Sequence, residues 1–212
     1  MIHIAIEGNI AAGKSTFVHK LLNHIRTKGI NKQFEVFPEP LDDWTNYKAK
    51  GVGYNLLELQ YEKPDKFALA FQIAAATTKC DQLLAGGENM IVERTLACQR
   101  LVFIPILRAK NLIDDLHTDL LSNTVKKLEM IPKMTPDKIL YLRCEPEIAQ
   151  SRAVSRARPE ERSAVADTEL FRAIHEKYEE WLNPGNSLII DCNNPDVDMG
   201  DIYDKLETYL VK

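Results

Sequence analysis

Short apolar runs alternate along this chain with longer stretches whose apolar positions recur at helical spacing. The short runs, Ile2–Glu7, Phe34–Phe37, Met90–Glu93, Lys138–Arg143 and Ser187–Ile190, predict five strands. Within them, segments such as Ile139-Leu140-Tyr141-Leu142 are apolar at consecutive positions, which suits a parallel sheet covered on both faces. The longer stretches predict helices over Lys14–Lys28, Tyr54–Tyr61, Pro64–Leu84, Ala97–Lys110, Ile113–Met130, Pro146–Arg156, Thr168–Leu182 and Gly200–Val211. Pro64 suits a helix start, where its fixed φ fits and its missing N–H has no partner to lose. This alternation implies right-handed crossovers and an α/β fold, a three-layer α/β/α sandwich around a five-stranded parallel sheet. No repeat, low-complexity tract or linker interrupts it, so residues 1–212 are expected to form one domain. Ligands of such sheets sit at the carboxyl ends of the strands.

Composition narrows the classes. Of the 212 residues, 45% are apolar and 27% charged, a balance that excludes broad disorder. A formal charge of −4 gives no general affinity for polyanions, so no nucleic-acid partner is expected and phosphate must be held by local groups. Cys80, Cys98, Cys144 and Cys192 are far apart and form no CxxC pair, which argues for reduced thiols rather than a disulfide frame or zinc site. No apolar stretch is long enough for a bilayer, so no membrane association is expected. Met1 runs directly into the first strand without a basic or Arg/Ser-rich leader, which makes the cytoplasm the expected location.

The first strand ends in Gly8-Asn9-Ile10-Ala11-Ala12-Gly13-Lys14-Ser15, which matches G-x-x-x-x-G-K-[ST] and opens a helix. Its glycines let successive N–H groups turn into one cavity, and the helix that follows adds the positive end of its dipole. Lys14 is expected on the β- and γ-phosphates and Ser15 on Mg²⁺, with Thr16 completing the ATP-binding set. The motif predicts a nucleoside triphosphate and is silent about the acceptor.

Four further segments speak to the acceptor: Glu39-Pro40-Leu41-Asp42-Asp43-Trp44 after the second strand, Tyr61-Glu62-Lys63-Pro64 with Phe71-Gln72, Glu93-Arg94-Thr95 ending the third strand, and Arg152, Arg156, Arg158 and Arg162 after the fourth. Singly each has a plain reading: a solvated loop carboxylate, core aromatics, a strand-end ion pair, a charged helix surface. Together and in this order they resemble the deoxyribonucleoside kinases of the deoxycytidine, deoxyguanosine and mitochondrial thymidine type, over nearly the whole chain.

The resemblance implies transfer of the γ-phosphoryl of ATP, with Mg²⁺, to a deoxyribonucleoside 5′-hydroxyl. Glu39 then corresponds to the carboxylate that accepts the hydroxyl proton, and Arg94 to the arginine beside it. Glu93 corresponds to the second Mg²⁺ ligand after Ser15. Arg152, Arg156 and Arg158 correspond to the arginines of a lid over about 152–165, where guanidinium forks suit phosphate oxygens. Tyr61 and Glu161, with Glu160 as the alternative to the latter, correspond to the pair that holds the 3′-hydroxyl. Gln72 corresponds to the glutamine on the base edge and Phe103 to the stacking aromatic, with Trp44, Leu57 and Phe71 as apolar walls. The segment Cys192-Asn193-Asn194-Pro195-Asp196 corresponds in position to the adenine loop. The family's dimerisation implies a homodimer through the helices between residues 54 and 110.

Lys79 and Gln99 depart from the pattern. Members that accept purines or cytidine place an arginine and an aspartate there, and thymidine-accepting members place small or apolar residues. Lys79 is suited to donate to a base carbonyl or, alternatively, to snorkel to solvent; Gln99 donates or accepts. The leaning is towards a pyrimidine acceptor or broad specificity. The nearest alternative is a thymidylate-type monophosphate kinase, which shares the loop, sheet and arginines but needs further cations for the acceptor phosphate. A regulatory GTPase-like module predicts an Asn-Lys-x-Asp segment, which the chain lacks.

Overall fold

A computed structural model describes residues 2–28, 33–194 and 200–210. The chain runs β1 (Ile2–Gly8), α1 (Lys14–Thr27), β2 (Glu35–Phe37), α2 (Leu41–Thr45), β3 (Tyr47–Ala49), β4 (Val52–Tyr54), α3 (Leu56–Glu62), α4 (Pro64–Ala85) and β5 (Asn89–Glu93). It continues through α5 (Leu96–Cys98), a π-helical turn (Gln99–Phe103), α6 (Ile104–Ala109), α7 (Asp115–Glu129), β6 (Lys138–Arg143) and α8 (Pro146–Arg156). A 3₁₀ turn (Pro159–Glu161), α9 (Arg162–Val165), α10 (Thr168–Trp181), β7 (Leu188–Asp191) and α11 (Gly200–Leu210) complete it.

The main sheet has five parallel strands in the order β2-β5-β1-β6-β7. The expected strands and the flanking helical layers are therefore present, with ends shifted by a residue or two. Alternation along the central strands supplies both cores. Ile4, Ile6 and Ile91 pack into one cluster with Phe17, Leu21, Phe171 and Ile174, while Ala5, Met90 and Val92 pack into the other with Leu83, Leu121 and Val125. The chain first builds out from β1 to β5 and β2, then returns to add β6 and β7, so the loop after β1 opens where the direction of building reverses.

Three regions differ from the expected pattern. Tyr54 is not the first turn of a helix but the end of a β3–β4 hairpin, closed by Lys50 and Gly51 with φ of 50° and 81°. Those positive values suit a tight antiparallel turn, yet Lys-Gly is a weaker turn signal than Asn-Gly, and the strands are short and exposed. Pro105 lies at the start of α6 and has no N–H, and the single helix expected over Ala97–Lys110 instead passes through the π turn just before it. Pro159–Val165 forms two short helical pieces after Ala157, whose φ of 51° ends α8. Val211, the expected end of the last helix, lies outside the described residues.

Gly8 ends β1 with φ of 150°, and a Cβ there would stand 2.7 Å from the Leu142 carbonyl oxygen on the neighbouring strand. A sheet carbonyl has no room to retreat, so Gly8→Ala is expected to cost about 2 kcal/mol or more of stability, measured by urea unfolding.

Candidate active site

The carboxyl ends of β1, β2 and β5 open into a cavity of about 700 Å³ that is also lined by residues of α3, the α8–α9 segment and the π turn. Ile10 to Thr16 line one end of it. Gly8 and Asn9 do not line it. The Asn9 amide is buried and donates to the Phe171 carbonyl at 2.9 Å, while its side-chain oxygen accepts from Ile10 N at 2.8 Å, so Asn9 braces the loop from below. Gly13 precedes α1 in the left-handed region without a side-chain cap, which leaves the helix start to the cavity. The buried Lys14 ammonium donates to Asn9 O at 3.0 Å and Gly8 O at 3.4 Å. Burial, reinforced by the Arg94 charge, lowers it to about 8. Ser15 Oγ donates to Glu93 Oε2 at 3.2 Å, which sets two oxygen groups side by side at the loop.

Arg94 follows β5 in the left-handed conformation, with φ of 61°. Its Nε donates to Glu39 Oε1, and its Nη1 donates to Gly8 O at 3.1 Å and to the Tyr178 hydroxyl at 2.7 Å. The Phe103 ring lies 4.9 Å beneath the guanidinium carbon, a cation–π contact. Burial alone would raise the Glu39 carboxyl, but Arg94, with help from Lys14 and Lys79, outweighs it and holds Glu39 at about 2. Behind Arg94, the fully buried Glu7 carboxylate accepts from Thr95 N, Thr95 Oγ1 and the Tyr178 hydroxyl. Sequence reasoning did not single out Glu7 or Tyr178, and it quoted Thr95 in the Glu93-Arg94-Thr95 segment without a role. Glu7 carried a usable signal, since it is a carboxylate at the end of an otherwise apolar strand and touches Gly8 in sequence.

Opposite the phosphate loop the walls turn apolar. Trp44 and Phe71 meet edge to face at 5.1 Å, Trp44 Nε1 donates to Thr78 Oγ1 at 3.0 Å, and Leu57 packs with them. Gln99, on the π turn, donates through Nε2 to the Gln72 carbonyl and side-chain oxygens at 3.1 and 3.3 Å, while its own Oε1 is buried without a partner. Lys79 does not snorkel to solvent. It is buried and donates to Glu93 O at 2.8 Å and Gln82 Oε1 at 2.9 Å, and burial lowers it to about 8 against the pull of Glu39.

At the mouth, Arg156 and Arg158 both donate to Glu161, and Arg152 donates to Asn193 O at 3.2 Å. Glu161, not Glu160, lines the cavity and is buried there; burial of the Tyr61 hydroxyl, reinforced by the Glu161 charge, raises it above its usual range. Cys192 and Asn194 reach the same cavity, whereas Pro195 and Asp196 lie outside the described residues.

A family model described as deoxynucleoside kinase matches residues 4–209. Deoxycytidine kinase 1 of Xenopus laevis is 33% identical over 208 residues, covering 85% of this chain and 73% of that protein. Deoxycytidine kinase 2 of Gallus gallus is 31% identical over 207 residues, covering 84% and 73%. Mitochondrial thymidine kinase 2 of Macaca fascicularis is 29% identical over 185 residues, covering 86% and 65%.

The lowered value of Lys79 fixes a sign. Below about pH 8 both folded and unfolded chains carry its charge, and the cost of burying that charge is fully present. Between about 8 and the ordinary value of 10.5 the folded form releases its proton first, and the cost fades. Lys79→Met should therefore compare best with the parent at pH 7 and lose that relative advantage by pH 10, read as the difference in Tm.

Proposed function

Because this chain belongs to the deoxynucleoside kinase family and is a phosphotransferase, we propose that it moves the γ-phosphoryl of ATP to the 5′-hydroxyl of a deoxyribonucleoside. The observation that carries this reading is Glu39. It is an ionised carboxylate clamped by Arg94 in the same cavity as the P-loop lysine, where an acceptor hydroxyl and a terminal phosphate can meet in line.

Phosphoryl transfer asks the protein mainly for alignment and charge neutralisation. In this reading Ile10 to Thr16 cradle the triphosphate, and Lys14 leaves the Asn9 and Gly8 carbonyls for the β- and γ-oxygens. Arg152, Arg156 and Arg158 act as a lid over the phosphates, exchanging Glu161 or Asn193 for phosphate oxygens. Ser15 and Glu93 would hold Mg²⁺, whose chemistry is to neutralise charge on the transferring phosphate. The two oxygen groups fit it, and among the described residues no cluster of three or more His, Cys, Asp or Glu competes for it. Glu39 accepts the hydroxyl proton, and Arg94 steadies the charge beside the attacking oxygen. Its value near 2 keeps Glu39 ionised across the working range.

Tyr61 and Glu161 would hold the 3′-hydroxyl, and the Tyr61 ring would crowd a 2′-hydroxyl. The base would enter between Phe103 and the Trp44, Leu57 and Phe71 walls, with Gln72 on its edge and Lys79 and Gln99 beyond it. A pyrimidine acceptor or broad specificity is favoured by relatives named deoxycytidine and thymidine kinases. Residues 1–212 act as one domain in this reading. A homodimer is supported by exposed apolar residues on two neighbouring helices, Ile73 and Leu84 on α4 and Leu116 and Leu120 on α7. Among the described residues no helix is long and apolar enough to cross a membrane.

The test is ADP release with ATP and Mg²⁺ against thymidine, deoxycytidine, deoxyadenosine, deoxyguanosine and thymidylate in separate reactions. Turnover with nucleosides is expected; turnover with thymidylate alone would move the protein to the monophosphate kinases. Glu39→Gln should keep ATP binding and lower kcat at least about a hundredfold, and near-normal kcat would remove Glu39 as the base.

A further inference from the structure

Glu7 and Tyr178 do no work in the mechanism above, yet Tyr178 binds Arg94 directly and Glu7 holds Tyr178. The Glu7 carboxylate has no exposure to water. Its Oε1 accepts from Thr95 N at 2.8 Å and Thr95 Oγ1 at 2.7 Å, and its Oε2 accepts from the Tyr178 hydroxyl at 2.8 Å. The tyrosine hydroxyl has one proton, and that proton is committed to Glu7. Its lone pairs therefore face Arg94, whose Nη1 donates to it at 2.7 Å. One unbroken chain of hydrogen bonds thus runs from the end of β1 through α10 to Arg94 and on to Glu39.

Arginine side chains carry much rotamer freedom, and a left-handed non-glycine residue persists only where its surroundings hold it. Arg94 has both problems. Phe103 fixes the plane of its guanidinium, and Gly8 O accepts from the same Nη1. Tyr178 is the side chain that decides where that nitrogen points. A buried carboxylate is an expensive way to orient a tyrosine. Burial raises the Glu7 carboxyl above its ordinary value in spite of Arg94, Thr95 and Tyr178, so its ionised form subtracts from stability. A group that burdens the fold while organising one arginine is better explained by the work of that arginine than by packing.

We propose that Tyr178 and Glu7 are positioning residues for the phosphoryl transfer, locking the Arg94 guanidinium so that it presents the Glu39 carboxylate to the acceptor hydroxyl. The proposal rests on the reading of Glu39 given above.

Tyr178→Phe removes the hydroxyl and keeps the ring, which stacks on Tyr141 at 5.4 Å and Trp181 at 5.9 Å, so the fold is expected to survive. With ATP, Mg²⁺ and the nucleoside the parent prefers, kcat should fall about tenfold or more while KM for both substrates stays within about twofold. In an Arg94→Lys background the same change should cost less than about twofold, because its target is already lost. Glu7→Gln should lower kcat comparably without lowering Tm. The proposal is overturned by parental kcat in Tyr178→Phe, by an undiminished loss in the Arg94→Lys background, or by a Glu7→Gln loss of activity that tracks a fall in Tm. A parent that releases no ADP with any nucleoside removes the kinase reading and this proposal together. A fully active parent with an unaffected Tyr178→Phe removes the proposal alone.

Discussion

Arg94 is the hinge of this structure, because one guanidinium is shared among acceptors from four parts of the chain. It binds Glu39 after β2, the Gly8 carbonyl at the end of β1, the Tyr178 hydroxyl on α10 and the face of Phe103 on the π turn. Around it, the carboxylates Glu7, Glu39 and Glu93 oppose the cations Lys14, Lys79 and Arg94. Sequestering charges from water is affordable only when opposite charges and hydrogen bonds meet them closely. Here the sheet enforces the closeness, since Glu7 and Glu93 end neighbouring strands in register, with Ile6 opposite Glu93.

The opposing shifts show how tightly these groups are coupled. Lys14 and Lys79 are pushed down to about 8 by burial, while Glu39 is held near 2 by the cations. Buried ammonium groups whose charge is costly without an anion beside them, next to a carboxylate that is ionised before the acceptor arrives, form a site primed for a polyanionic ligand and a hydroxyl acceptor. The same arrangement costs stability, and the two apolar cores on the faces of the sheet must offset it. The left-handed backbone at Arg94, the buried acceptor on Gln99 and the π turn that carries Gln99 are further departures from ideal geometry, and all lie on the cavity. Concentrating such departures in one place, on an otherwise regular sheet, is what a functional site is expected to look like.

The strands and long helices were readable because their signals are local. Consecutive apolar residues mark buried parallel strands, and the phosphate loop is a backbone shape written in adjacent residues. The hairpin Tyr47–Tyr54 was missed because its strands are exposed and carry no core periodicity. The π turn was missed because Pro105 suits the start of a helix as well as a distortion within one. Glu161 was preferred in sequence with Glu160 as the alternative, and the Pro159–Glu161 turn sets Glu161 on the cavity. The direction of Lys79 was open in sequence, since a lysine on a helix reaches either way; hydrogen bonds to Gln82 and the Glu93 carbonyl decide it.

By itself, the sequence determined the α/β architecture, the phosphate loop and its kinase family, because each depends on the order and spacing of residues near one another. Tertiary structure alone decided that Tyr178 and Phe103 join the expected Glu39 around Arg94. Tyr178 sits on an ordinary amphipathic helix, 171 positions from Glu7, and nothing within a helical turn of it distinguishes it from a core tyrosine. Contacts of that kind come into being when crossover connections bring the ends of separate elements to one edge of the sheet. The energy that selects them, close pairing of charge away from water, has no counterpart in the local pattern of the chain.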